Sequence, residues 1–218
     1  MELTVWCVLT GDKYVDNDVR ILRDMVSRNL ALPHRFLCLA DRQIEGVDTL
    51  ISQLEWPGWW LKLALFWVSR GQNLYLDLDS VVVGPLEPLL SDRLSMPRNW
   101  GQSGHGGCQS SVMSWARDYT IIPESFDINL LNPPERGNCG SYGPARLWGD
   151  QEFITELMGD PGVREIKPMD NVISYKYHCR HGLPNVRESV VAFHGEPKPG
   201  QVNDKWVLNA RSFIATAA

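Results

Sequence analysis

Leu74-Tyr75-Leu76-Asp77-Leu78-Asp79-Ser80-Val81-Val82-Val83-Gly84-Pro85-Leu86 is an apolar run interrupted by two carboxylates. Residues 73–78 (NLYLDL) have the composition of a buried strand. Side chains at i and i+2 of a strand share one side, so Asp77 and Asp79 are expected to converge on one point at its end. Two carboxylates held close repel each other, and burying both is costly. A divalent cation offsets both effects. Carboxylate oxygens suit Mg²⁺ or Mn²⁺, and the same ions bind phosphate oxygens. The competing explanation is that an Asp closes the strand and caps the next turn.

On either side of this run the chain alternates strand and helix patterns. Residues 3–9 (LTVWCVL) read as a first strand, broken by Thr10-Gly11-Asp12. Residues 16–30 carry Val19, Leu22, Met25, Val26 and Leu30 at helical spacing. Residues 36–40 read as a second buried strand, ended by Asp41. Strand, helix, strand is the unit of a parallel sheet covered by helices. Further along, 59–69 and 150–158 read as helices, 85–90 as one helical turn, and 110–115 and 189–193 as strands. Residues 123–147 are rich in Pro, Gly and Asn and read as a long loop. The expected fold is α/β, a mostly parallel central sheet with helices on both faces. In open sheets of this kind ligands collect at the carboxyl ends of the strands, where Asp77 and Asp79 fall.

The chain of 218 residues is long enough for one well-buried core and short for two full domains. A single domain over 1–218 is expected, with a ligand-binding half over about 1–115 and a second half over about 116–218. The formal net charge of -5 argues against nucleic acid as the main partner. Nine Trp residues suit both core packing and sugar-binding surfaces. The five cysteines are odd in number and lack C-x-x-C spacing, so a reducing, cytoplasmic setting is expected. No signal peptide or membrane span is expected. His178, Cys179 and His181 lie close in sequence, but no second ligand pair accompanies them, so a zinc site is not expected there.

The run 74–86 resembles the metal-binding segment of retaining GT-A glycosyltransferases, such as glycogenin and the bacterial lipooligosaccharide galactosyltransferases. Other pieces follow in the family order. Thr10-Gly11-Asp12-Lys13-Tyr14 resembles the nucleotide-binding loop after the first strand. Trp60-Leu61-Lys62-Leu63 resembles the helix that carries a basic residue. Gln109-Ser110-Ser111-Val112-Met113 resembles an N-S-G-V-M-like segment, with Ser111 where many relatives have Gly. Trp148-Gly149-Asp150-Gln151 resembles an Asp-Gln pair, and Phe193 to Pro199 resembles a C-terminal His-Gly, Lys-Pro segment. Residues 174–180 resemble a bacterial and phage-type branch of such enzymes.

The resemblance implies a GT-A fold and transfer of a sugar from a nucleoside diphosphate sugar, a UDP-hexose, to an acceptor hydroxyl with retention of configuration. It implies Mn²⁺ or Mg²⁺ held by Asp77, Asp79 and His194. Thr10, Gly11, Asp12, Tyr14, Asp41, Lys62, Asp77, Leu78, Ser111, His194, Gly195 and Lys198 are then expected around the donor. A Tyr14 face can stack on a base and Asp41 can accept a base N–H. Asp150 is expected to hold donor-sugar hydroxyls, Gln151 to lie beside the anomeric carbon, and Lys198 to neutralise the leaving diphosphate. Two rivals stand beside this. A sugar-nucleotide nucleotidyltransferase would carry a Gly-rich basic loop after the first strand, where this chain has one Gly and one Lys. A non-catalytic carbohydrate-binding protein would need no nucleotide. The 123–147 loop and the 174–183 segment are expected to select an acceptor whose identity the residues do not spell out.

Overall fold

β1 (Leu3–Leu9) runs through the middle of the molecule, and its alternating side chains supply both faces of the core. Val5, Cys7 and Leu9 face one hydrophobic cluster, and Trp6 faces the other. The computed structural model describes residues 2–101, 107–134, 139–159, 166–179, 181–182 and 187–212. Its other strands are β2 (Arg35–Ala40), β3 (Asp48–Ile51), β4 (Gln72–Leu76), β5 (Ser80–Val82), β6 (Ser95–Met96), β7 (Val112–Trp115), β8 (Lys167–Pro168), β9 (Val172–Ser174) and β10 (Val190–Ala192). The helices are α1 (Asp16–Asn29), α2 (Leu65–Val68), α3 (Ile121–Glu124), α4 (Asp150–Met158), α5 (Tyr175–His178) and α6 (Lys205–Arg211).

Among the described residues, seven strands form one sheet in the order β3-β2-β1-β4-β7-β6-β8. β3, β2, β1 and β4 are parallel; β7 runs antiparallel to β4 and to β6. β1 pairs with β2 on one side, reached through α1, and with β4 on the other. The order therefore reverses at β1, and the carboxyl ends of β1 and β4 flank the crevice where such sheets bind ligands. α1 begins where the Asp18 carboxylate accepts the Val15 amide at 3.1 Å, and it buries Val19, Leu22, Met25 and Val26 against β1. On the opposite face Trp6, Tyr75, Met113 and Trp115 pack with Trp60.

A second sheet of three strands, β5-β10-β9, stands beside the first. The chain passes between the two sheets in the short turn that holds Asp77, Leu78 and Asp79. β4 ends at Leu76, so the carboxylates are not strand residues i and i+2 as the sequence pattern predicts. Ser80 donates its amide to the Asp77 carbonyl at 3.0 Å, which closes a turn before β5 starts. Asp77 keeps the last rung of the large sheet, its amide bonded to the Ser111 carbonyl at 2.8 Å. The Asp79 carbonyl accepts from Phe193 at 3.2 Å, just past β10. The backbone at each carboxylate is thus fixed by a different sheet.

Other departures from the sequence pattern are local. The helix expected over 59–69 is a 3-10 segment, Gly58–Ala64, that passes into α2 and ends at Ser69. β3 is an exposed edge strand and β6 and β8 are two-residue pairings, too short or too polar to show an alternating pattern. β9 is buried but only three residues long. Within 123–147, residues 128–130 form a 3-10 turn, and Phe126 and Tyr142 are drawn into the core. Phe126 stacks on Trp60 at 5.1 Å between ring centroids and on Tyr142 at 5.1 Å. Phe153 of α4 meets Tyr142 edge-on at 4.9 Å. These rings tie the long connection and α4 to the sheet.

Trp60 is fully buried at the centre of this cluster, and its indole N–H reaches the Gly140 carbonyl at 3.2 Å. Trp60→Ala is expected to cost about 3–5 kcal/mol, read as a lower urea midpoint at unchanged slope. A loss below about 1 kcal/mol would mean that the ring cluster does not anchor the connection.

Candidate active site

Each carboxylate of the pair is held by one tyrosine hydroxyl and one lysine ammonium. Asp79 Oδ2 accepts from the Tyr14 hydroxyl at 2.7 Å and from Lys198 Nζ at 2.6 Å. Asp77 Oδ1 accepts from Lys62 Nζ at 3.0 Å and from the Tyr75 hydroxyl. The four partners come from four places: the loop after β1, the segment after β10, the 3-10 turn and β4 itself. Tyr75 sits two residues before Asp77 in β4, on the aromatic face of the sheet. That spacing was the available signal for Tyr75, which the sequence reading did not single out.

Lys62 is the hinge between two carboxylates. Its side chain is 4% exposed, 3.0 Å from Asp77 and 3.3 Å from Asp150 Oδ2. It also reaches the Ser110 hydroxyl at 3.3 Å. Burial alone would push the ammonium toward neutrality; Asp150 and Asp77 override it and hold Lys62 charged, above its ordinary value. Asp150 opens α4 and is buried; its Oδ2 is paired with Lys62 by charge but receives no hydrogen bond. Burial raises its carboxyl above the ordinary range, Lys62 opposes that, and the Asp77 charge adds to it. Gly149 precedes it, and a Cβ there would lie 3.3 Å from the Trp59 indole nitrogen, a tight contact that the glycine avoids where α4 starts. Gln151 follows, partly exposed.

Burial likewise lifts Asp79, the Asp77 charge lifts it further, and Lys198 and Tyr14 pull it back. Burial, then the Asp79 charge, drives Tyr14 far above the ordinary phenol value, so it remains a hydrogen-bond donor to Asp79. Tyr14 is thus bound by its hydroxyl to the carboxylate, while Lys13 and Lys198 lie over its ring at 5.5 and 5.7 Å. Asp41 braces the loop after β1: its Oδ2 accepts the Gly11 amide at 2.7 Å, and Oδ1 pairs with Arg42 at 2.9 Å. Gly11 has φ of +67°, a turn conformation that favours glycine. Thr10 is half-buried and Asp12 is exposed at the mouth of the same loop.

Two expected donor contacts, Leu78 and Ser111, are turned inward, and His194 has partners of its own. The Leu78 side chain is in the hydrophobic core, which leaves only its backbone for a ligand. Ser111 is buried, with its amide and hydroxyl both directed at Gln109 Oε1. His194 stands between the rings of Trp100 and Tyr177, at centroid distances of 5.6 and 5.8 Å, and its Nε2 lies 2.6 Å from the Ser174 hydroxyl. Burial, with Lys176, Lys198 and His178 nearby, pushes the imidazole down to about 4, so it is neutral at ordinary pH. The described residues contain no group of three His, Cys, Asp or Glu side chains arranged to hold a metal. Asp77 and Asp79 come together as a pair, and His194 has Ser174 and Trp100 as partners, which no motif links to it. Gly195 has φ of +70°, and a Cβ there would fall 2.8 Å from Lys176 Nζ.

Next to the segment after β10 lies a cavity of about 570 Å³, lined by Tyr175, Lys176, Tyr177, Glu196, Pro197 and Asp204 among others. Tyr175 stacks on Phe193 at 4.2 Å and donates its hydroxyl to Asp204 at 2.6 Å. No helix among the described residues is long and apolar enough to cross a membrane.

No protein-family model matches the sequence, and no curated protein matches it. Solved structures do. The glycosyltransferase GlyE of Streptococcus pneumoniae TIGR4 superposes with a TM-score of 0.65 at 15% identity, covering 98% of this chain and 62% of GlyE. The chain thus spans less than two thirds of GlyE. The galactosyltransferase LgtC, in complex with donor and acceptor sugar analogs, superposes with a TM-score of 0.63 at 13% identity, over 99% of this chain and 97% of LgtC. A glycosyltransferase involved in glycosylation of the major capsid of PBCV-1 superposes with a TM-score of 0.56 at 12% identity, over 96% of this chain and 98% of that one. At such identities the likeness speaks for the fold: this chain has the GT-A fold of those glycosyltransferases.

Proposed function

We propose that the chain is a metal-dependent glycosyltransferase that moves a hexose from a UDP-sugar to a hydroxyl of a saccharide acceptor, with retention of configuration. The observation that carries this reading is the meeting of Asp77, Asp79 and Asp150 with Lys62 and Lys198 at the switch point of the sheet. The fold shared with LgtC and GlyE supports it. Mg²⁺ and Mn²⁺ are commonly held by one or two carboxylates together with substrate phosphates. Asp77 and Asp79 fit that pattern as a pair, since each offers a carboxylate beside the other at the crevice. His194 is the third candidate ligand: it is neutral, and to join Asp77 and Asp79 on a cation its ring would leave or share its bond with Ser174. A cation there would supply counter-charge to the diphosphate as it leaves.

The chain's own residues take the remaining roles. Lys62 fixes Asp77 and Asp150 relative to each other, so the carboxylate that meets the sugar is set against the one that meets the phosphates. Asp150, buried, with its Oδ2 held by Lys62 at 3.3 Å, is placed to accept donor-sugar hydroxyls on its remaining lone pairs. Gln151 stands beside it for the anomeric centre. Thr10, Gly11, Asp12 and Asp41 lie at the nucleotide end, where Asp41 accepts a base N–H. Tyr14 serves the site through its hydroxyl on Asp79 and offers its ring to the base. Leu78 and Gly195 offer backbone to the donor, and Ser111, bonded to Gln109 and to the Asp77 amide, shapes the wall. Lys198 neutralises the leaving diphosphate. The acceptor lies toward the Tyr175–Glu196 cavity, whose volume falls in the range of small-ligand sites and whose phenols, carboxylates and ammonium suit a polyhydroxyl compound.

The test is a screen of nucleotide sugars with Mn²⁺, scoring released nucleotide, repeated on Asp79→Asn. A UDP-sugar is expected to be turned over, and the variant to lose about 100-fold or more in rate, in line with removal of a transition-state electrostatic partner. UDP is also expected to raise the melting temperature more with Mn²⁺ than with EDTA; at about 100 times its Kd a native-state ligand adds about 2.7 kcal/mol. Near-normal turnover by Asp79→Asn at saturating Mn²⁺ would remove the carboxylate pair from the mechanism.

A further inference from the structure

The two lysines that pair with the carboxylates differ in how they are held. Lys62 is 4% exposed, rises from the 3-10 turn under the aromatic cluster, and has Asp77, Asp150 and Ser110 as partners. Lys198 is 17% exposed and sits in the segment 195–200, between Gly195 and Gly200. Its ammonium meets Asp79 at 2.6 Å and the Phe193 carbonyl only at 3.5 Å. The side chain with fewer partners and nearer solvent is the one free to leave. It occupies the same carboxylate that the proposed cation needs. Three carboxylates, Asp77, Asp79 and Asp150, face two lysines, so the cluster carries one uncompensated negative charge. A divalent cation would turn that to one positive, and the diphosphate would then draw the displaced ammonium.

We propose that Lys198 is an exchangeable counter-ion: it closes on Asp79 in the donor-free protein, is displaced by the divalent cation, and transfers to the donor diphosphate. This rests on the reading of the site given above. It adds that cation and nucleotide binding are linked through one side chain. Alone, the cation must compete with a bound ammonium. With the nucleotide present, Lys198 has a better partner and the competition ends. By reciprocity the cation strengthens nucleotide binding by the same factor. Lys62 takes no part in the exchange, because leaving would strand the buried Asp150 and the partly buried Asp77.

The experiment is Mn²⁺ binding by electron paramagnetic resonance, with and without UDP, on the wild type, Lys198→Met and Lys198→Arg. Lys198→Met is expected to bind Mn²⁺ about tenfold more tightly without UDP, and its UDP-linked gain is expected to shrink by the same factor, within the usual range of coupling. Lys198→Arg keeps the blocking charge and is expected to bind Mn²⁺ weakly without UDP, like the wild type. Unchanged or weaker Mn²⁺ binding by Lys198→Met would overturn the exchange. A second measurement uses only the wild type. Labelling of Lys198 by an amine-reactive ester, read by mass spectrometry, is expected to rise several-fold on adding Mn²⁺ and to fall again on adding UDP. Labelling that ignores Mn²⁺ while Mn²⁺ binds would equally overturn it. Absence of Mn²⁺ binding in every state, with or without UDP, would instead bring down the underlying reading of the metal site, and the exchange with it.

Discussion

Asp77 and Asp79 are forced into proximity by backbone that neither side chain controls. The first is the last rung of the large sheet through Ser111, and the second is pinned to the small sheet through Phe193. Two carboxylates placed this way carry a desolvation cost and a mutual repulsion. The structure meets it with paired donors, Lys62 and Tyr75 on one, Lys198 and Tyr14 on the other. Each donor then makes a demand of its own. Lys62 is buried in the 3-10 segment 58–64, which Trp60 anchors in the aromatic cluster; Lys198 comes from the far end of the chain, past β10, which pairs with β5. Much of the architecture around the crevice can be traced to that one electrostatic problem.

The scaffold and the chemistry are separable on these terms. α1, β1 and β2 build a hydrophobic layer that contributes position and no charge. The aromatic layer does more, because Trp60, Phe126, Tyr142 and Phe153 join the 3-10 turn that carries Lys62 to the helix that begins with Asp150. The distance from Lys62 to Asp150 is therefore set by ring packing. Such a site is preorganised on one side, where Lys62 is locked, and adjustable on the other, where the Lys198 side chain is more exposed and has fewer partners. Ligand-linked motion belongs on the adjustable side.

Much of this was legible in the sequence because it rests on long apolar segments. β1, α1 and β2 follow from periodicity, and Asp150 and Lys62 from their place in an order of motifs. The convergence of Asp77 and Asp79 was anticipated for the wrong local reason: a turn, not a strand, brings them together. Short pairings such as β6 with β8 are made by tertiary context and leave no pattern in two residues. The partners of His194 were invisible for the same reason. Ser174 and Trp100 lie 20 and 94 positions away, and only the folded chain joins them. Tyr14 shows what residue type leaves out: the bond from its hydroxyl to Asp79 joins positions 65 apart and has no signature in the sequence.

The most direct measurement of the central claim is a crystal structure of the protein with UDP and Mg²⁺. The account predicts one cation bridging the diphosphate to the carboxylates of Asp77 and Asp79, at about 2.0–2.1 Å from their oxygens. It predicts the base at the Gly11–Asp41 end and Lys62 still paired with Asp150. UDP bound on another face, with both carboxylates still in their lysine and tyrosine pairs, would contradict it.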